Sequence, residues 1–159
     1  MQQKKVIFLD IDGVLNTPKD AIERFDKWKK GEGKSRDEFG QLFCQKAVLN
    51  LEYLCHITGA DVVVSSTWRK SGLARIKEMF AFRNIHVNVI DVTPIFNDEP
   101  RGEEIADWLR NNEVNKYVIF DDDTDMLPEQ MPYFVCTDFE DGLNWTCMVK
   151  GLKILMEKI

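Results

Sequence analysis

The chain has 159 residues, a length that suits one domain with a core of ordinary size. Hydrophobic residues make up 44% and charged residues 30%, the balance of a soluble globular protein, and no apolar run approaches the roughly 20 residues of a membrane span. A net charge of −6 argues against broad nucleic-acid binding but leaves room for a local basic patch.

The first element is the most informative. Val6 to Leu9 are four consecutive apolar residues, which predict a strand buried on both faces, as in a parallel sheet. The run ends in Asp10-Ile11-Asp12-Gly13. Ligands bind beyond the carboxyl ends of such strands, and residues two apart on an extended chain point to the same side. Gly13 permits a turn that a residue with a Cβ would resist. Two carboxylates held close repel each other unless a cation or a shared proton intervenes, so the pair marks a candidate site. A calcium loop starting at Asp10 fails, because Leu15 stands where glycine is needed and Ala21 where glutamate is needed.

Residues 17 to 43 break the strand-helix alternation and are expected to form a small flap over the strand ends. Ala21 to Lys30 predict a short helix with Ile22, Phe25 and Trp28 on one stripe. The polar, glycine-bearing stretch 29 to 35 follows. Its Gly33-Lys34-Ser35 mimics the end of a P-loop, but Trp28 occupies the place of the first glycine.

Residues 44 to 58 predict a helix carrying Val48, Leu51, Leu54 and Cys55, stopped at Gly59. The β-branched run at Asp61 to Val64 predicts a second strand, ending in Ser65-Ser66-Thr67-Trp68-Arg69. A helix at about 71 to 82 presents Leu73, Ile76 and Phe80, and a third strand covers 86 to 91. Pro100 opens a helix over 101 to 112 with Ile105, Trp108 and Leu109 as its apolar stripe. Residues 117 to 120 form the fourth strand and run into Asp121-Asp122-Asp123-Thr124-Asp125. A short strand at 133 to 136 and a helix at 143 to 159, with Met148, Leu152, Leu155 and Ile159 inward, close the chain. Strands alternating with helices imply an α/β fold with a parallel sheet covered on both faces, in one domain over 1 to 159. The four cysteines form no C-x-x-C pair, and with two histidines available a zinc site is not expected. Reduced thiols in a cytoplasmic protein without a signal peptide are the simplest account.

Three strand ends therefore carry polar groups that a parallel sheet would bring to one edge: Asp10 and Asp12, Ser65 and Ser66, Asp121 and Asp122. Phe8 to Asn16 (FLDIDGVLN), the SSTWR of 65 to 69, the RGEEIADWL of 101 to 109, the Asp121 run and Asp141-Gly142-Leu143 occur in that order. This text resembles the haloacid dehalogenase-like (HAD) phosphatases. It is similar, more narrowly, to the small HAD-like domains found alone or within Swiss army knife RNA-repair proteins. Many members of the superfamily have threonine after the motif glycine, where this chain has Val14.

The resemblance implies a Rossmann-like, doubly wound, five-stranded parallel sheet with almost no cap. It implies Asp10 as a nucleophile forming an aspartyl-phosphate and Asp12 as general acid and then base. Magnesium would be held by Asp10, the Asp12 carbonyl and Asp121 or Asp122, with Asp125 an alternative register. Ser65 and Ser66 would hydrogen-bond the phosphoryl group. Arg101 would supply the phosphate-facing cation, with Arg69 as its competitor. The function implied is a magnesium-dependent phosphohydrolase, and an open site suits a phosphorylated nucleic-acid end. The alternatives are a small-molecule or nucleotide phosphatase with 17 to 43 as lid, and a non-catalytic binding domain.

Overall fold

A computed structural model describes residues 2 to 158. Five strands form one parallel sheet: β1 (Lys5–Leu9), β4 (Asp61–Val64), β5 (Val89–Val92), β6 (Lys116–Asp121) and β7 (Phe134–Cys136). Their spatial order is β5-β4-β1-β6-β7. Chain order runs outward from β1 to one edge, then restarts at β6 on its other side, the doubly wound pattern. β1 is central, and its registers Leu9↔Val64 and Leu9↔Phe120 bring three strand ends level.

The sheet is covered on both faces, and the middles of its three central strands are apolar and buried. Ile7, Leu9, Val62, Val64, Val118 and Phe120 face helices α2 (Gln45–Thr58), α3 (Leu73–Phe82) and α5 (Trp145–Met156). Val6, Phe8, Val63 and Ile119 face α4 (Arg101–Arg110) through Ile105 and Trp108. The third strand begins at Val89 rather than 86, and Lys116 and Asp121 extend the fourth by one residue at each end. Residues 67 to 71, expected to lead straight into a helix, form a separate 3-10 turn ahead of α3. Ile159, expected inward on the last helix, lies outside the described residues. No described helix is long and apolar enough to cross a membrane.

The segment after β1 departs most from expectation. Helix α1 (Pro18–Lys29) starts earlier than predicted, because the Thr17 hydroxyl accepts from Asp20 N–H and Pro18 sits at the first turn. Its stripe of Ile22, Phe25 and Trp28 faces solvent, at 62%, 47% and 53% exposure, and none of its residues is buried. Periodicity placed those side chains on one face of a helix, but among the described residues that face is left largely to solvent. A hairpin absent from the sequence reading follows, β2 (Arg36–Asp37) with β3 (Gly40–Gln41). Its strands are two residues each, Arg36–Asp37 and Gly40–Gln41, so no β-branched or alternating pattern announced them. The hairpin is tied to α3, where Arg83 forks the Asp37 carboxylate at 2.9 and 2.8 Å.

Candidate active site

Asp10, Ser65 and Asp121 stand at the carboxyl ends of three adjacent strands. Main-chain bonds from Asp10 N to Phe120 O and from Ser65 N to Leu9 O continue the parallel ladders past the strand ends and hold these residues side by side. The crevice lies beside β1, where the strand order reverses. Carboxylate oxygens of Asp10, Asp121 and Asp122 all lie within 4.8 Å of one another. Asp10 and Asp121 are buried and Asp122 is partly so.

The turn that makes this possible is built around Gly13. Its φ is +79°, and a Cβ there would lie 2.7 Å from Asp122 Cγ and 2.8 Å from Phe139. Both the left-handed backbone and the close approach of Asp122 exclude a larger residue. Thr137, following β7, donates its hydroxyl to Gly13 O at 2.8 Å and its N–H to Asp121 O, which joins the two acidic loops.

Arg101 opens α4 and reaches into the crevice. Its Nη1 lies 3.0 Å from Asp10 Oδ1 and 2.9 Å from Asp121 Oδ2. The helix start is fixed from the loop after β6: Asp125 accepts from Arg101 N–H through its carboxylate and from Gly102 N–H through its carbonyl. Asp125 thus caps a helix N-terminus, where negative charge is favoured, and takes no place in the carboxylate cluster. Gly102 permits the fit, since a Cβ there would come within 2.7 Å of Gln130 Oε1 and Leu127 N.

The electrostatics are unbalanced. One guanidinium pairs with two of the three clustered carboxylates, Asp10 and Asp121. Burial, and then the neighbouring Asp10 charge, push the Asp121 carboxyl up to about 8 against the pull of Arg101. Burial and hydrogen bonding with Asp10 raise Asp122 as well. Burial opposes the charge on Arg101, but Asp121 and Asp10 outweigh it and hold the guanidinium more firmly protonated than usual. A shared proton or a divalent cation would relieve the repulsion. Three clustered carboxylates are an oxygen-only donor set, which suits a hard cation and could hold a metal ion.

Asp12 is different. Its carboxylate is exposed, is not part of the cluster, and is held at the mouth by Asn16 Nδ2 and the Trp68 indole N–H. Ser65 is fully buried and its Oγ has no hydrogen-bond partner among the described residues. An orphaned buried hydroxyl costs about 1–3 kcal/mol, so it is either strained or waiting for a ligand. Ser66 Oγ accepts from Trp68 N–H and starts the 3-10 turn, a capping role.

Arg69 does not face the crevice as a free cation. Its Nε donates to Thr93 O, Nη1 to Ser65 O and Ser66 O, and Nη2 to Pro94 O and to Glu104 Oε2 at 2.6 Å. These five bonds engage all five donors of a guanidinium, so none is left for a phosphate. The expectation that Arg69 rivals Arg101 as the phosphate contact therefore gives way to a structural role. Glu104 is buried and belongs to Arg69.

Sequence reasoning missed Asn16, Thr137 and the contact of Trp68 with Asp12. The asparagine closing FLDIDGVLN was a signal for the first. Nothing local pointed to the other two contacts, which join residues 56 and 124 positions apart. The profile of a family described as the HAD domain in Swiss Army Knife RNA repair proteins matches residues 6–147. No curated protein gives a significant match.

Proposed function

The chain belongs to the family of HAD domains in Swiss Army Knife RNA repair proteins, and we propose that it is a magnesium-dependent phosphomonoester hydrolase acting through an aspartyl-phosphate on Asp10. The observation that carries this reading is the buried cluster of Asp10, Asp121 and Asp122 beside Arg101, at the reversal point of the sheet. A structural ion pair needs one carboxylate per cation. A surplus of buried carboxylates fits a site completed by a cation and an anionic substrate.

Asp10, Asp121 and Asp122 would hold the magnesium, which would offset the charge on both the carboxylates and the phosphoryl oxygens. Asp10 is the nucleophile: its oxygen forms a bond to phosphorus as the bond to the leaving oxygen breaks. Asp12, exposed at the mouth, gives its proton to that leaving oxygen. It then takes one from the water that attacks the acyl phosphate and restores Asp10. Arg101 neutralises phosphoryl charge in the transition state, and the Ser65 hydroxyl donates to a phosphoryl oxygen.

The substrate we propose is a phosphate at a nucleic-acid end. Among the described residues, the segment between β1 and α2 holds no large cap domain, only α1 and a small hairpin. α1 begins two residues after Asn16 and is about 18 Å long. It presents Phe25 and Trp28 to solvent, and residues 27 to 36 hold five basic side chains against one glutamate. Exposed aromatics beside basic residues suit stacked bases and a phosphate backbone.

Phosphate release from an aryl phosphate, mononucleotides and 3′- and 5′-phosphorylated oligonucleotides tests both levels. Turnover should require magnesium and stop with chelator. Affinity for the oligonucleotide should fall more steeply with salt than affinity for a mononucleotide. Undiminished activity in chelator would remove the metal. Equal salt slopes would favour a small-molecule substrate.

A further inference from the structure

We infer that Trp68 is a positioning residue for Asp12, and that the β2–β3 hairpin holds Trp68 at its post. The inference rests on the hydrolase reading above. An exposed carboxylate ordinarily samples several rotamers, whereas a general acid must sit within hydrogen-bond reach of the leaving oxygen. Two donors hold Asp12 here. Asn16 Nδ2 donates to Oδ1 at 2.9 Å, and the Trp68 indole N–H is shared between Oδ1 at 3.3 Å and Oδ2 at 3.2 Å. Oδ1 therefore accepts from both, while Oδ2 accepts from the indole alone. Oδ2 keeps a lone pair for the proton that passes to the substrate.

Trp68 is itself anchored at both ends. Its N–H is bound by Ser66 Oγ, and the next residue, Arg69, is pinned by its five hydrogen bonds. Its ring packs on Phe43 at 5.6 Å between centroids. At the ring tip stands Gly40 of the hairpin, where a Cβ would lie 3.6 Å from Trp68 Cη2. Arg83 completes the support. Its guanidinium lies 4.5 Å from the Phe43 ring centre and 6.0 Å from that of Trp68, and it forks Asp37 while also donating to Gly40 O. Contacts thus run from the hairpin through Arg83 and the two rings to Asp12.

Packing alone would also explain a half-buried tryptophan, and the two roles separate by leaving group. An aryl phosphate such as 4-nitrophenyl phosphate expels a stable anion and needs little protonation. An alkyl phosphate such as glycerol 2-phosphate expels an alkoxide that must receive the Asp12 proton as the phosphorus–oxygen bond breaks. Trp68→Phe keeps an aromatic ring and removes the N–H. It should lower kcat/KM, which reports the step that expels the leaving group and not the later hydrolysis of the acyl phosphate, about tenfold or more on the alkyl ester and less than about threefold on the aryl ester. Asp37→Asn, which weakens the hairpin anchor outside the site, should show the same asymmetry to a smaller extent. A readout independent of turnover is the Trp68 indole N–H proton resonance, identified by its loss in Trp68→Phe, which should shift in Asp12→Asn. Equal losses on both esters, no loss on either, or an indole resonance unmoved in Asp12→Asn would each overturn the inference. Wild type that releases phosphate from neither ester would overturn the hydrolase reading and the inference with it.

Discussion

Arg69 and Arg101 are both largely withdrawn from solvent near the carboxyl edge of the sheet, and each touches a buried carboxylate. Around Arg69 every donor is matched: four main-chain carbonyls and one Glu104 oxygen take its five N–H groups. Around Arg101 the account is open. A single nitrogen bridges Asp10 and Asp121, Asp122 stands close by, and burial lifts the Asp121 carboxyl to about 8 and raises that of Asp122 above its ordinary value. A saturated guanidinium is architecture, since any ligand would have to displace bonds already made. One facing a surplus of carboxylates is part of a site, because cation and substrate together improve its balance.

The largest effect that sharpens this contrast is catalytic. Asp10→Asn removes the nucleophile, so phosphate release should drop by more than about 10³-fold. The apo variant should melt no lower than apo wild type, since one of the crowded charges has gone. Near-wild-type turnover in this variant would refute the aspartyl-phosphate mechanism.

The two arginines should then part company. Arg69→Ala takes the guanidinium from the carbonyls of Ser65, Thr93 and Pro94, while Ser66 O keeps the main-chain N–H of residue 69, and it leaves Glu104 buried without its cation, so it should destabilise the fold by about 3–5 kcal/mol in urea titrations. Arg101→Ala leaves carboxylates that can take up a proton instead. Its unfolding midpoint should stay close to wild type while kcat falls about 10²-fold or more. If Arg101→Ala proved the more destabilising of the two, the division between architecture and site would be lost.

The smallest effect is in pH dependence. The Asp121 carboxyl stands near 8 in the folded protein against 3.8 as its ordinary value. The native state therefore keeps a proton that the unfolded chain releases, and this contribution is fully present below about pH 4 and is lost as pH rises through about 8. Unfolding midpoints in chelator should reflect that loss across this window. Asp121→Asn should flatten it, and so should excess magnesium, which competes with the proton for the same oxygens. A window that survives in Asp121→Asn would assign it to another group.

Much of this was legible in the chain. Val6 to Leu9 is apolar at every position, as suits a strand covered on both faces, and Asp10, Asp12 and Gly13 then mark its end. Period and composition located all five strands of the sheet and its flanking helices to within a few residues, because burial leaves a local imprint. Partners leave none. That Asp121 and Asp122 join Asp10 while Asp125 caps α4, that Arg69 belongs to Glu104 and Arg101 to Asp10 and Asp121, and that Trp68 reaches Asp12 were decided by tertiary structure. So was the fate of Ile22, Phe25 and Trp28, for a helical period states which side chains share a face and not whether anything covers it. Charge pairing and coverage depend on residues tens of positions apart meeting in space, and local patterns carry no term for that.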